Sequence, residues 1–282
     1  MHTLTTTHGV AAAGIPAARP VPSSRRRIVA IARNTFREAV RDRVLYNLVL
    51  FVLLLSVGAV FLGAASASQD AKIIVDFGLT ATLLFGALIA IFVGVGLVWK
   101  EMERRTLYAI FAKPVGRTEF LLGKYLGLCV TLAVNLVVMG AGLTLVLLSI
   151  RALSTALALV LWSTVALIYL ELTVLTGVAL LFSAFSSPVF ALFASLAVFL
   201  IGHFTADLKA LATLFDAAAP RAALVALHHA LPNLSTFVVI TPAAHGVGPS
   251  ADYMVTALAY AVAWDVALLA AAALAFARRD FK

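Results

Sequence analysis

Charge is the scarcest commodity in this chain: 12% of its 282 residues are Asp, Glu, Lys or Arg, while 63% are hydrophobic. Soluble domains hold roughly 45–50% apolar residues, and a soluble fold with the mean hydropathy found here, +1.05, has nowhere to hide its surplus. The chain is therefore read as an integral membrane protein. Cysteine is nearly absent. The single Cys129 lies in an apolar stretch, which excludes an intrachain disulfide and a thiolate metal cluster. There is no G-x-x-x-x-G-K-[ST] string and no glycine-rich strand-to-helix loop, so the chain is not expected to hydrolyse ATP by itself. No Ser-His-Asp or paired-carboxylate arrangement offers a catalytic set, and no catalytic, cofactor-binding or metal-binding residues are assigned. Residues 1–24 are rich in Thr, Ala and Pro, lack acids, and lack the apolar core of about 7–15 residues that a secretory signal needs. They read as a disordered N-terminal tail ahead of one domain, residues 25–282.

What the chain does have is long apolar runs. Each crossing of a hydrocarbon core about 30 Å thick takes about 20 apolar residues. On that measure the sequence predicts six spans, near Val44–Ala65, Phe77–Trp99, Tyr125–Ile150, Ala156–Phe185, Val189–Ala206 and Tyr253–Ala277. The fourth is long enough to tilt. Ser186-Ser187-Pro188 leaves so short a hinge that spans four and five are expected to pack as an antiparallel hairpin. With the N-terminus inside, 17 of the 21 Lys and Arg residues fall in inner segments and four (Lys72, Arg151, Lys209, Arg221) in outer ones. This is the asymmetry of the positive-inside rule, and it places both termini in the cytoplasm. The net charge of +8 thus follows topology, and with no stacking module or basic face outside the loops it does not indicate nucleic acid.

Three segments stand apart from the spans. In Arg25–Asn47, Ile28, Ile31, Ala32, Thr35, Phe36, Ala39 and Val40 recur at helical spacing, with Arg26, Arg33, Arg37 and Arg41 opposite. A basic amphipathic helix of this kind is expected in the headgroup interface, its arginines on anionic phosphates. Lys100–Lys124 carries nine charged residues, with Leu107, Ile110 and Phe111 at helical spacing opposite Glu101, Arg104 and Arg105. Pro114 and Gly116 force a turn, and Thr118 with Glu119 can start a helix leading into the next apolar run. Asp207–Asp252 is too charged to span and too apolar for a free loop. Short helices on or in the outer leaflet, interrupted at Pro220, are the expected solution, and this face is open to a periplasmic partner.

Glu103, Thr106, Pro114, Arg117, Glu119, Phe120, Gly123 and Lys124 match in type and spacing the segment E-x-x-T … P-x-x-R-x-E-F-x-x-G-K. On these residues the chain resembles ABC-2 type transporter permeases, where the segment forms a coupling helix between the second and third spans. Asn34–Tyr46 is similar to the elbow helix before their first span. Leu231–Phe237, L-P-N-L-S-T-F, is similar to a stretch in the subgroup that contains the permease of nitrous-oxide reductase maturation transporters. The resemblance covers nearly everything after residue 25. It implies an all-α integral membrane fold: six transmembrane helices, an N-terminal interfacial helix, a cytoplasmic coupling helix and short outer-face helices before the last span. It further implies a non-enzymatic permease subunit in a bacterial inner membrane, probing the same cytoplasm as a separate ABC ATPase that binds ATP and Mg. A pair of such ATPase subunits needs two coupling segments, hence a homodimer or a dimer with a related permease. Glu103, Thr106, Pro114, Arg117, Glu119 and Lys124 are the coupling residues so implied, and export is the expected direction.

Glu171, His203 and Asp265 are the ionisable residues inside the predicted spans. Charge at such depth is costly and turns toward the bundle interior or water. Glu171, in I-Y-L-E-L-T with Tyr169 and Thr173 nearby, is compatible with helix packing, cation binding or proton relay, and Asp265 with the same. His203 reads as an interfacial residue near the outer end of its span. An intramembrane polar site at Glu171 and Asp265 would suit an ATP-independent secondary transporter or channel, though inverted repeats and broken spans are not evident. A membrane anchor or assembly subunit is the other alternative. His228, His229 and His245 invite a metal reading, but adjacent histidines diverge and no Cys or acid stands at ligand spacing beside them.

Overall fold

A computed structural model describes residues 23–39, 50–51, 58, 70–103, 116–213 and 218–278. Among them every regular element is a helix and no strand occurs. In chain order these are α1 (Ser24–Ala39), α2 (Asp70–Glu103), α3 (Arg117–Ser149), α4 (Thr155–Phe185), α5 (Pro188–His203), α6 (Thr205–Ala212), α7 (Ala218–Ala230), a 3-10 turn (Leu234–Phe237), α8 (Ile240–Ala244) and α9 (Ala251–Arg278).

Four helices are long and apolar enough to cross a membrane, over Ala71–Gly96, Thr118–Ser149, Thr155–Phe185 and Ala251–Phe276. They correspond to the second, third, fourth and sixth predicted spans. The segments Arg221–Ala230 and Leu234–Ala244 form a further apolar pair bent by 48°. The predicted fifth span differs. α5 has 16 residues, about 24 Å at 1.5 Å per residue, and falls short of a hydrocarbon core of about 30 Å. The predicted first span lies mostly outside the described residues. Its Phe51 meets Phe85 edge-on, with ring centroids 6.0 Å apart, and Gly58 backs onto Phe77.

α4 is the axis of the bundle. Its inward residues, among them Leu161, Leu167, Leu172, Leu175 and Leu180, are wholly buried, and α2, α3, α5 and α9 all pack on it. A Cβ on Gly86 of α2 would overlap the Leu172 side chain, so that glycine sets how closely α2 and α4 approach. In an apolar bundle the polar side chains must find backbone partners. Thr164 and Thr176 donate to the carbonyls of Val160 and Leu172, and Ser183 to that of Ala179. Ser186 ends α4, Ser187 caps α5 by accepting from the Phe190 amide, and Pro188 takes the first helical position, where its missing N–H costs nothing. Glu171 and His203, 15 residues before Ser186 and 16 after Ser187, come within 3.3 Å, so α4 and α5 do form an antiparallel hairpin.

The segment after α5 does not rest on a surface throughout. Pro220 falls in the first turn of α7 rather than breaking a helix, because an N-terminal amide there has no partner to lose. Leu234 and Phe237 are fully buried in the same core as α4 and α5. Tyr260 of α9 accepts a hydrogen bond from the Asn233 amide at 2.7 Å, and the Pro232 carbonyl approaches Gly202 at the end of α5. L-P-N-L-S-T-F is thus a plug between α5 and α9.

Candidate coupling site

The predicted coupling segment, Lys100–Lys124, takes in the end of α2 at Glu103 and the start of α3 at Arg117. Residues 104–115, including Thr106 and Pro114, lie outside the described residues, as does the expected short amphipathic helix. The remainder shows how the root of the segment is built. Gly116 is the N-cap of α3, and its amide donates to Glu119 Oε2 at 3.3 Å, half of a capping box. α3 therefore starts eight residues ahead of the predicted third span, and its 33 residues extend about 50 Å, well beyond a hydrocarbon core.

The surplus turns are taken up by α1. Arg27 donates to both oxygens of Glu119, Nε to Oε2 at 2.8 Å and Nη2 to Oε1 at 2.7 Å, and Ser24 donates to the same carboxylate. This hydrogen bond to Glu119 raises the Arg27 guanidinium above its ordinary value, with desolvation opposing and direct charge attraction adding. Arg27 thus stays charged at any physiological pH. Eleven residues further along α1, Glu38 lies 3.6 Å from the Lys124 ammonium. That side chain is 1% exposed and sits 5.7 Å from the centre of the Phe120 ring. Between the two ion pairs the backbones come close. A Cβ on Gly123 would sit 2.6 Å from Ile31, and one on Gly127 would sit 2.6 Å from the Ala32 carbonyl oxygen. G-K-Y-L-G is a small-xxx-small motif used here between an interfacial helix and a span.

Phe120 completes the face by stacking on Phe276 of α9, with centroids 6.2 Å apart and planes inclined by 18°. Glu119, Phe120, Gly123, Lys124 and Gly127 thus form one stripe, at positions i, i+1, i+4, i+5 and i+8, directed at α1 and α9. Of the six predicted coupling residues, Glu119 and Lys124 are spent on α1. Glu103 and Arg117 stand at the helix ends that flank the segment. The apolar face of α1, expected to meet lipid, is instead given to α3, while Arg25, Arg26, Arg33 and Arg37 line its outer side. The sequence holds only the complementary charges: 11 residues separate Arg27 from Glu38 and five separate Glu119 from Lys124, so spacing alone would not have paired them.

The two carboxylates named for a possible intramembrane polar site have different partners. Glu171 of α4 is fully buried with its Oε1 3.3 Å from Nε2 of His203, a partly buried residue at the last position of α5. Asp265 of α9, partly buried, interacts with Tyr125 and Thr173, and its Oδ1 meets no further hydrogen-bond partner among the described residues. Glu171 and His203 stand almost equally far from the Ser186–Ser187 hinge, which puts them at one level of the hairpin but does not by itself turn them toward one another. In the segment after α5, His228 Nδ1 meets the Thr205 carbonyl at 2.8 Å, and His245 Nδ1 meets that of Thr241 at 2.9 Å. Among the described residues no cluster of three or more His, Cys, Asp or Glu is assembled for a metal.

The described residues form an all-helical bundle with four helices long and apolar enough to cross a membrane and an α1 socket on α3, the architecture of a multi-pass membrane protein. A family model described as "ABC-2 family transporter protein" matches residues 29–281, and the chain belongs to that family. Among curated proteins it is similar to the "Probable ABC transporter permease protein NosY" of Pseudomonas aeruginosa, at 35% identity over 102 residues. That match covers 34% of this chain and 37% of the relative's length.

Proposed function

We propose that the chain is the membrane-spanning subunit of an ATP-driven exporter in a bacterial inner membrane. In this reading it crosses six times with both termini in the cytoplasm, and it pairs with a second copy or a related permease. ATP and Mg are bound by a separate ABC ATPase. The observation that carries the reading is the segment between Glu103 and Arg117 in a chain of this family. α1, the end of α2, the start of α3 and the end of α9 gather on one face of the bundle, held there by Arg27–Glu119 and Phe120–Phe276. A partner that presses on this face pushes on α1, α3 and α9 together. Closure of the ATPases on ATP then moves the segment and rocks one permease against the other. Within the segment Glu103, Thr106, Pro114 and Arg117 make the contact, and Glu119 and Lys124 carry its displacement into α1.

The test is a pulldown of the tagged full chain from its native host in mild detergent, with mass spectrometry of what co-purifies. An ABC ATPase at a one-to-one ratio, retained by the wild type and lost in Arg117→Glu, is the expected result. A chain recovered alone, together with ion-driven flux from the purified protein in vesicles, would defeat this reading in favour of a secondary transporter.

A further inference from the structure

Most buried polar side chains among the described residues follow one rule. Thr82, Thr131, Thr164, Thr176, Ser183 and Ser195 each donate to a carbonyl one turn back in their own helix. Glu171 breaks it. The side chain is 0% exposed, no donor among the described residues bonds either oxygen, and what faces Oε1 at 3.3 Å is His203 Nε2.

The other ring nitrogen settles what that contact is. His203 Nδ1 lies 2.8 Å from the Phe199 carbonyl oxygen. A carbonyl only accepts, so Nδ1 carries a hydrogen. In a neutral imidazole Nε2 is then a bare acceptor. A carboxylate is also acceptor-only, and two lone-pair atoms facing one another in an apolar core repel. A hydrogen between them turns the contact into a hydrogen bond, whether it is written as carboxylic acid with imidazole or as carboxylate with imidazolium. Both forms have the same net charge of zero, which is what burial without other ions requires.

We propose that Glu171 and His203 hold one proton between them, making the α4–α5 hairpin a proton-binding site inside the bundle. Few other ionisable residues lie on the elements around the pair, and on α6, which follows α5, they are Asp207 and Lys209. α2, which packs here through Gly86, has no ionisable residue between Asp76 and Lys100, and the plug from Leu231 to Ala244 has none. On α4 the nearest such groups are Tyr169 and, across on α9, Asp265 with its own partners Tyr125 and Thr173. On α7, His228 is engaged with the Thr205 carbonyl. Phe199 covers the imidazole edge-on at 4.7 Å between centroids, and Leu234 closes over Gly202 beside it. α5 is shorter than α2, α3, α4 and α9, and any movement that parts it from α4 separates an acid from the base with which it shares a proton.

The site is tested on the purified full chain alone. The protein is unfolded with dodecyl sulfate in weakly buffered detergent at about pH 8.5, where free carboxyl and imidazole groups are both unprotonated, while an indicator dye reports protons released. Wild type is expected to release one proton per chain more than Glu171→Gln, whose amide fills the same space and donates to Nε2 without a titratable proton. Equal release from the two overturns the proposal. Should Glu171→Gln fail to fold, nitrogen-15 NMR of histidine-labelled wild type at the same pH decides the matter. A displaced His203 Nε2 signal supports a proton in the pair, and the signal of a bare imidazole nitrogen overturns it. Neither readout involves the ATPase, so the site stands or falls separately from the coupling reading.

Discussion

Glu119 does two jobs with one carboxylate: it takes the Gly116 amide at the start of α3 and the Arg27 guanidinium from α1. A residue so used is poorly placed to be a free contact for another protein, although its position in the motif invites that assignment. The arrangement makes a prediction about sign. Arg27→Glu and Glu119→Arg each place like charges together and are expected to loosen α1, so that trypsin cuts between Arg25 and Arg37 several-fold faster. The combined swap restores opposite charges and is expected to return the rate toward wild type. Three equal rates would show that the pair does not hold the helix. The glycines of α3 differ among themselves in the same way. Gly127 faces the Ala32 carbonyl oxygen and Thr35, with a Cβ due 2.6 Å from each, whereas Gly142 has nothing within 4 Å. Gly142→Ala is expected to raise the melting temperature, by up to about 1 kcal/mol of helix propensity. Gly127→Ala is expected to lower it, since overpacking against backbone costs about 1–3 kcal/mol. A fall for Gly142→Ala would mean that another chain packs there.

At the scale of elements, length decides what each helix can do. α3 is too long for the hydrocarbon, and its extra turns, which carry Glu119 and Lys124, supply a wall for α1. α5 is too short, and the gap at its end is filled by the plug of Leu234 and Phe237, tied to α9 by Tyr260. These compensations place charged groups on one face and the plug on the other. The resulting topology can be checked with Cys129 replaced by Ala and single cysteines introduced at Ser23 and at Val247, both of which are exposed. An impermeant thiol reagent is expected to label Val247→Cys in intact cells and Ser23→Cys only after permeabilisation. The reverse pattern would invert the orientation and put the coupling segment out of reach of ATP.

For the whole molecule, apolar composition and loop charge were sufficient to specify a multi-pass helical membrane protein, because the cost of burying backbone and charge in lipid acts on every residue and needs no partner. The α4–α5 hairpin was legible for a related reason: two serines and a proline leave the chain no other way to turn. The motif Glu119–Lys124 was equally visible as a string, yet its meaning was not, since the string is shared by a surface that docks a partner and a stripe that packs inward. Which of the two it is depends on where Arg27, Ile31 and Glu38 come to lie, and that is set by the close approach of α1 to Gly123 and Gly127. Glu171 and His203 are a second instance, 32 positions apart in the chain and 3.3 Å apart in the bundle. Periodicity and composition are local or additive, and they determined that the chain is built of long apolar helices. Pairings between side chains on different helices depend on helix register and separation together, and only the tertiary structure decided those.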